Sequence, residues 1–307
     1  MNKEDLNNSS KRAFLCECLS SAFVAGDTVK LEFLWPGPAP RAGQFFLIKP
    51  RRTTAFLGRP ISAAGWKSKV PFAPYENTER RVNIDRRLIS HRYMNPNLRL
   101  LINRRITTER RQNTGMILSF FIVRRGSGSR DLTDLRPGEE AVLVGPLGNY
   151  WAWVDTGLSE ENLASPIALI GGGVGIAPLL AYIPELRNRP FDFYAGFRTG
   201  SFGLKNIKPR SLVVSTEDGS QGIKGRITDF FTPSGYSMVL ACGPEAMLKT
   251  AGDACIASEI PCFISMERRM ACGVGACLGC TVKTTKGNRR CCADGPIFSA
   301  EEVCFDN

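Results

Sequence analysis

The sequence is poor in histidine and in long apolar stretches. Its 307 residues include one histidine, His91, and no run approaches the ~20 apolar residues that a membrane-spanning helix needs. The N-terminal stretch MNKEDLNNSSKRAFLCECLSS has no apolar core of the signal-peptide type. These absences argue against a secreted or membrane-spanning protein. They indicate a cytoplasmic, reducing environment, in which clustered cysteines bind metal or react and the others are buried.

The length and apolar content favour several folded units. A chain with 43% hydrophobic residues can form two domains with their own cores and a small third module. We place the boundaries at 1–155, 156–264 and 265–307. The first region has short, aromatic-rich runs punctuated by Gly and Pro, such as TVKLEFLWPG and AGQFFLIKP, which is typical of β-strands.

The strong positive charge is local. Residues 67–111 contain twelve Lys and Arg but four acidic residues, so they hold +8 of the net charge of +11. We interpret the basic insert, about 65–115, as an insertion in a hairpin of a β-barrel. An arm that binds RNA or a partner is the alternative, although the regular aromatic spacing of single-strand binders is missing. A frameshifted or poorly determined stretch of gene is a third reading.

A glycine-rich turn marks the second region. SPIALIGGG is an apolar run that ends in glycines, and VGIAPLLAYIPELRNR continues with helical spacing. Glycines at such a turn let the backbone approach a phosphate, or simply make a tight βα connection. A further strand with a Cys-Gly-Pro loop would lie at the same sheet edge. The residues assigned here to a nucleotide are Gly171, Gly172, Gly173, Gly175, Cys242, Gly243 and Pro244.

The third region contains the most closely grouped cysteines of the sequence. Cys272-x4-Cys277-x2-Cys280 has the spacing of a plant-type [2Fe–2S] loop, and the fourth ligand is Cys291 or Cys292. Glycines 273, 275 and 279 suit a loop that donates N–H groups to sulfur. Zinc is disfavoured because zinc sites usually pair two C-x2-C motifs, whereas only Cys277 and Cys280 form one here.

Taken together, these motifs resemble the electron-transfer subunit family of class 1B dihydroorotate dehydrogenase, in the ferredoxin-reductase-like flavoprotein superfamily. The resemblance is carried by LGRPIS, GPLGN, GGGVGIAPL, ACGPEAML and MERRMACGVGACLGC followed by CADGP. It implies a multi-domain fold with an antiparallel β-barrel FAD domain, an α/β parallel-sheet NAD domain and a small C-terminal [2Fe–2S] module.

The resemblance also implies residue roles. The cysteine two residues before Asp-Gly-Pro is the fourth ligand, which selects Cys292 over Cys291, so the metal ligands are Cys272, Cys277, Cys280 and Cys292. The flavin residues implied are Arg59, Pro60, Ile61, Ser62, Phe121, Ile122, Val123, Gly128 and Ser129. The sequence departs from the family at Val123, where an arginine is common, and Arg124 or Arg125 could substitute.

The implied function is electron transfer in pyrimidine biosynthesis. Electrons pass from the FMN of a dihydroorotate dehydrogenase catalytic subunit through [2Fe–2S] and FAD to NAD, in a heterotetramer of two copies of each subunit. The chain has no orotate site of its own and binds no membrane. Two alternatives stay open: a related NAD(P)H:acceptor reductase subunit, of the sulfhydrogenase or ferredoxin:NADP reductase type, and a redox-sensing nucleic-acid binder. The residues alone do not choose between NAD and NADP.

Overall fold

A computed structural model describes residues 12–53, 55–68, 115–152 and 165–305. Most of the basic insert, including His91, lies outside the described residues, as does the predicted boundary at 155/156.

The first region is a closed six-stranded antiparallel barrel in the order β1-β2-β5-β4-β3-β6. The barrel interior is aromatic, with Phe33, Phe46 and Phe120 packed edge to face at centroid distances of 5.6 to 6.1 Å. The strands are β1 (Arg12–Ala25), β2 (Thr28–Trp35), β3 (Phe45–Pro50), β4 (Arg59–Ser68), β5 (Met116–Val123) and β6 (Glu140–Leu147). The predicted barrel is confirmed.

The basic insert connects two neighbouring strands of this barrel. β4 pairs antiparallel with β5, and Ser68 lies opposite Met116 on either side of the insert. The prediction that the insert interrupts a hairpin is therefore confirmed. After β5 the chain forms the short helix α1 (Ser127–Thr133).

The second region is built on a seven-stranded sheet in the order β10-β9-β8-β7-β11-β12-β15. All neighbours are parallel except β15, which pairs antiparallel with β12. The central strands β7 and β11 are fully buried and apolar, as expected for a parallel sheet covered on both faces. The strands are β7 (Ile167–Gly172), β8 (Phe191–Phe197), β9 (Ser211–Thr216), β10 (Ile223–Lys224), β11 (Met238–Cys242), β12 (Cys262–Ser265) and β15 (Ile297–Ser299).

In its described part, this region also contains two α-helices and three 3-10 turns. The helices are α2 (Ile176–Tyr182) and α3 (Glu245–Ala257), and the turns are Gly173–Gly175, Ile183–Leu186 and Ile227–Phe230. In the described part of the chain, no helix is long and apolar enough to cross a membrane.

The C-terminal region is small and attached to both other regions. It contributes the hairpin β13 (Thr281–Thr284) and β14 (Gly287–Arg290), and its β15 belongs to the large sheet. The barrel packs on the sheet region through Trp151, whose indole N–H donates to the carbonyl of Pro178 (3.1 Å). The β7 turn contacts β5, and Gly273 of the cysteine loop lies beside Leu47 of β3.

Candidate functional site

The cysteines predicted to bind a cluster occupy two neighbouring positions in the fold. Three lie on the loop between β12 and β13, and the fourth follows β14 after one residue: Cys272, Cys277 and Cys280, then Cys292. Pairing of β13 with β14 returns the fourth cysteine to the third, so that the backbone N–H of Cys292 lies 3.4 Å from the sulfur of Cys280.

The thiols contact one another as two pairs. The side chains of Cys272 and Cys277 interact, and so do those of Cys280 and Cys292. Within the described ranges, no three His, Cys, Asp or Glu side chains surround one point where a single ion would bind. A cluster of two irons takes two thiolates at each iron, whereas zinc needs four ligands around one point. The paired arrangement therefore fits a [2Fe–2S] cluster better than zinc.

Backbone N–H groups surround these sulfurs. Val274 and Cys277 each direct an N–H to the sulfur of Cys272 at 3.4 Å, and Gly275 directs one to Cys292 at 3.1 Å. N–H donors stabilise negative charge on sulfur, which is the form that binds iron.

The thiols of Cys272 and Cys292 have different pKa values because their surroundings differ. Burial by itself would raise the pKa of Cys272, but the N–H bonds from Val274 and Cys277 outweigh burial and lower the pKa to about 7. Burial, reinforced by contact with Cys280, raises the pKa of Cys292 to about 12. Cys292 therefore becomes a thiolate at neutral pH when a metal displaces its proton.

Cys291 is positioned differently from its neighbour. Its side chain is fully buried and donates to the carbonyl of Met266 at 3.1 Å. Burial also raises the pKa of its thiol, the largest of several causes. The geometry therefore favours Cys292 over Cys291 as the fourth ligand.

The glycines of the loop are not equivalent. Gly275 has a φ of +81°, and a Cβ there would lie 2.9 Å from the Cβ of Ala293. Gly273 has a φ of +68°, and its Cβ would lie 2.6 Å from a methyl of Leu47 in the barrel. At Gly279 a Cβ would meet only the Cys277 sulfur, at an ordinary 3.6 Å. The loop therefore requires glycine at 273 and 275, while its left-handed residue near Gly279 is Leu278, with a φ of 59°.

Arg59, which is predicted to bind the pyrophosphate of FAD, is closely packed in the structure. The guanidinium of Arg59 packs against the first turn of α1, and a Cβ on Gly128 would overlap it. Among the described residues, the guanidinium makes one hydrogen bond, to the carbonyl of Leu57 at 3.4 Å. Its other donors are available for a phosphate, so these residues fit the FAD that the sequence implies.

The other predicted flavin residues on β4 and β5 belong to two neighbouring strands of the barrel. Pro60, Ile61 and Ser62 are half-buried on β4 and pair with β3. On β5, Ile122 belongs to the barrel core, while Phe121 packs edge to face on Phe202 of the sheet region (5.0 Å).

The hydroxyl of Ser129 has a local role. It accepts from the backbone N–H groups of Arg125 (2.9 Å) and Gly126 (3.0 Å), and so closes the first turn of α1. It therefore shapes the turn that meets Arg59.

The two arginines that follow Val123 lie in different surroundings. Arg124 forms an ion pair with Asp134 at 2.8 Å, beside α1. Arg125 interacts electrostatically with Glu267, which follows β12 in the sheet region. Of the two, Arg125 is therefore the one within electrostatic range of the sheet region.

The glycines of the β7 turn divide into two groups. A Cβ on Gly171 would lie 2.6 Å from Ile176, one on Gly172 would lie 2.6 Å from Pro244, and one on Gly175 would overlap the carbonyl of Cys242. These three allow the turn to pack on its own helix and on the β11 loop. Gly173, by contrast, has a φ of +55° and open space where a Cβ would be. Of the four, Gly173 is therefore the glycine with free space beside it.

The Cys-Gly-Pro loop after β11 borders a cavity of about 180 Å³. Gly243 and Pro244 line it, together with Met266, Glu267 and Arg268. The Cys242 thiol interacts with Ser265, and burial, the largest cause, raises its pKa to about 12. Cys242 therefore contributes a neutral thiol beneath this loop.

Glu267 was not predicted from the sequence. The residue is exposed and borders the cavity. Burial of its carboxylate by the surrounding atoms raises its pKa, although the charge of Arg125 opposes the effect. Glu267 therefore lies at an open cavity and not in a core. Nothing in the sequence MERRM distinguishes its glutamate from an ordinary surface residue.

Comparison with known proteins agrees with this geometry. Residues 267–304 match the iron-sulfur cluster binding domain of dihydroorotate dehydrogenase B. The chain is 41% identical over 192 residues to the electron transfer subunit of dihydroorotate dehydrogenase B (NAD(+)) from Clostridium acetobutylicum, covering 62% of this chain and 75% of the relative. It is 33% identical to the subunit from Clostridium perfringens, covering 86% of this chain and 87% of the relative.

This chain is a member of the family of electron transfer subunits of dihydroorotate dehydrogenase B. As such it is an oxidoreductase electron-transfer subunit. The predicted family is confirmed, and with it FAD, a [2Fe–2S] cluster and NAD as the redox groups of this family.

Solved structures support the fold of this family member. The NADH-dependent reduced ferredoxin-NADP oxidoreductase is similar with a TM-score of 0.66 and 22% identity, covering 97% of this chain and 91% of that one. The ferredoxin reductase in carbazole 1,9a-dioxygenase has a TM-score of 0.57 and 16% identity, covering 83% and 68%. The predicted ferredoxin-reductase-like architecture is therefore confirmed.

Proposed function

We propose that this subunit transfers electrons between NAD and the FMN of a dihydroorotate dehydrogenase catalytic subunit, in the cytoplasm and in the pyrimidine pathway. The observation that carries the proposal is the pairing of Cys272 with Cys277 and of Cys280 with Cys292 in a family member. The heterotetramer and the absence of an orotate site on this chain are parts of the same proposal.

The proposal gives each redox group a place among these residues. Arg59, with the turn opened by Gly128, would hold the pyrophosphate of FAD, and the open face at Gly173 would receive the phosphates of NAD. NAD exchanges two electrons as hydride and an iron–sulfur cluster exchanges one, and a flavin between them converts one mode into the other.

The cysteine loop is the part of the site that a partner can reach. Cys277 is exposed and Leu278 has 62% of its surface accessible, although it is a large apolar residue. A left-handed backbone at Leu278 holds its side chain outward. We assign this tip to contact with the catalytic subunit.

The test is a pair of assays on one variant. A Cys277→Ser protein that folds and keeps FAD should still pass electrons from NADH to a small dye that reaches the flavin. In a complex co-purified with the catalytic subunit, it should fail to reduce NAD with dihydroorotate. The matched control is Cys304→Ser, because Cys304 is also exposed but lies outside the cysteine pairs.

Two results would contradict the proposal. The first is a wild-type complex that oxidises NADH with dyes but never couples NAD to dihydroorotate, which would favour an acceptor reductase of another kind. The second is a Cys277→Ser complex with full dihydroorotate-linked activity, which would show that the cluster is not on the route.

A further inference from the structure

An ion pair spans the two ends of the segment that contains Cys292. Arg290 ends β14 and Asp294 lies two residues after the cysteine. The guanidinium makes two parallel bonds to the carboxylate, from Nε to Oδ2 at 3.0 Å and from Nη2 to Oδ1 at 3.1 Å. The backbone N–H of Arg290 donates to the same carboxylate at 2.7 Å. Two parallel bonds fix the plane of the guanidinium, which a single contact would not do.

This ion pair holds the arginine against the cysteine loop. A Cβ on Gly275 would lie 3.4 Å from Nη1 of Arg290, so the guanidinium rests on the peptide that donates to the sulfur of Cys292. The guanidinium also interacts electrostatically with Cys280 and Cys292, one of the two thiol pairs. The side chains of Arg290 and Asp294 are 42% and 22% exposed, so solvent screens their charges only in part.

We propose that Arg290, positioned by Asp294, raises the reduction potential of the cluster by placing a positive charge beside the iron that Cys280 and Cys292 bind. The inference rests on the proposed cluster site. One-electron reduction adds a negative charge to the cluster, and a nearby cation stabilises the reduced form more than the oxidised form. The carboxylate has the opposite effect, because it carries the opposite charge and is bonded to that guanidinium.

Substitution of Arg290 and substitution of Asp294 are therefore expected to shift the midpoint potential of the cluster in opposite directions. In Arg290→Gln the cation is lost and the carboxylate remains, so the midpoint potential should become more negative. In Asp294→Asn the cation remains and the anion is lost, so the potential should become more positive. The expected size for each is on the order of a tenfold change in the one-electron equilibrium, about 59 mV. A residue with a merely structural role would not give opposite signs.

The measurement is a redox titration of the anaerobically purified subunit, followed by the electron paramagnetic resonance signal of the reduced cluster. Iron and sulfide per chain are measured in parallel. Lys286→Gln is the matched control, since it removes a positive charge from the turn of the same hairpin, where Lys286 pairs with Glu302 at 3.2 Å. Its potential should stay close to that of the wild type.

Each outcome decides something. Unchanged potentials in both variants, or shifts of the same sign, would overturn the inference while leaving the cluster in place. If Arg290→Gln loses its iron, the midpoint potentials of Asp294→Asn and Arg290→Lys provide the test. The potential of Asp294→Asn must then become more positive and that of Arg290→Lys must stay near the wild-type value. Any other result overturns the inference. A wild-type protein without iron or signal would instead contradict the proposed function itself.

Discussion

Replacing Gly275 by alanine should destabilise the cysteine loop. An alanine at a φ of +81° adopts a left-handed backbone, which costs an L-residue about 1 to 2 kcal/mol. Its methyl group would also lie 2.9 Å from the Cβ of Ala293, closer than two carbons normally approach, so the loop must shift. That shift would move the N–H that donates to Cys292. A cost of ~1–2 kcal/mol corresponds to a factor of about 5 to 30 in an equilibrium.

Gly279→Ala is the matched control for this prediction. It makes the same chemical change in the same loop, but its Cβ would have one neighbour at 3.6 Å and its backbone is not left-handed. The assay is the loss of the visible absorbance of the cluster in the presence of a chelator, with iron per chain as the second readout. Gly275→Ala should lose iron on the order of tenfold faster than the wild type, and Gly279→Ala at the wild-type rate. Equal rates for the two variants would refute the reasoning, because the loop would then tolerate side chains at both positions.

Three further predictions concern the ligands and the two nucleotide sites. Cys292→Ser should lower the iron content sharply and Cys291→Ser should leave it unchanged; the reverse would exchange their roles. Arg59→Ala should weaken FAD retention on dialysis tenfold or more, because a hydrogen bond to a charged group contributes ~1.5–3 kcal/mol; wild-type retention would place the pyrophosphate elsewhere. Gly173→Val should raise the KM for NADH, whereas Gly235→Val, with the same strain and open space, should not; equal effects would mean that strain alone is responsible.

The barrel, the parallel sheet and the cysteine spacing could be predicted because each is encoded locally. Alternating or continuous apolar runs define the strands, and a loop around a small cluster needs its cysteines and glycines within a few residues. The choice of Cys292 over Cys291 was different. The spacing allowed both, the family motif favoured one, and the bond from Cys291 to Met266 in the structure gives a physical reason.

The roles of individual glycines could not be predicted in the same way. All four glycines of the β7 turn suit a phosphate site in sequence, yet Gly171, Gly172 and Gly175 serve packing and Gly173 faces open space. The difference depends on atoms of Pro244 and Cys242, which are about 70 residues away in the chain. Arg124 and Arg125 are likewise distinguished by their partners, Asp134 nearby in the chain and Glu267 far from it.

Two motifs that are far apart in the sequence, GPLGN and the Asp-Gly-Pro segment, are hydrogen-bonded to each other in the structure. Asn149, in GPLGN, donates to the carbonyl of Ile297 at 2.8 Å and accepts from the N–H of that residue at 3.0 Å. Its own N–H donates to the carbonyl of Gly295 in Asp-Gly-Pro at 2.7 Å. The barrel that would hold FAD is thereby bonded to the segment that follows Cys292. Because electron transfer slows steeply with distance, these bonds would serve the reaction by holding a flavin in the barrel and a cluster on the cysteine loop at one fixed separation.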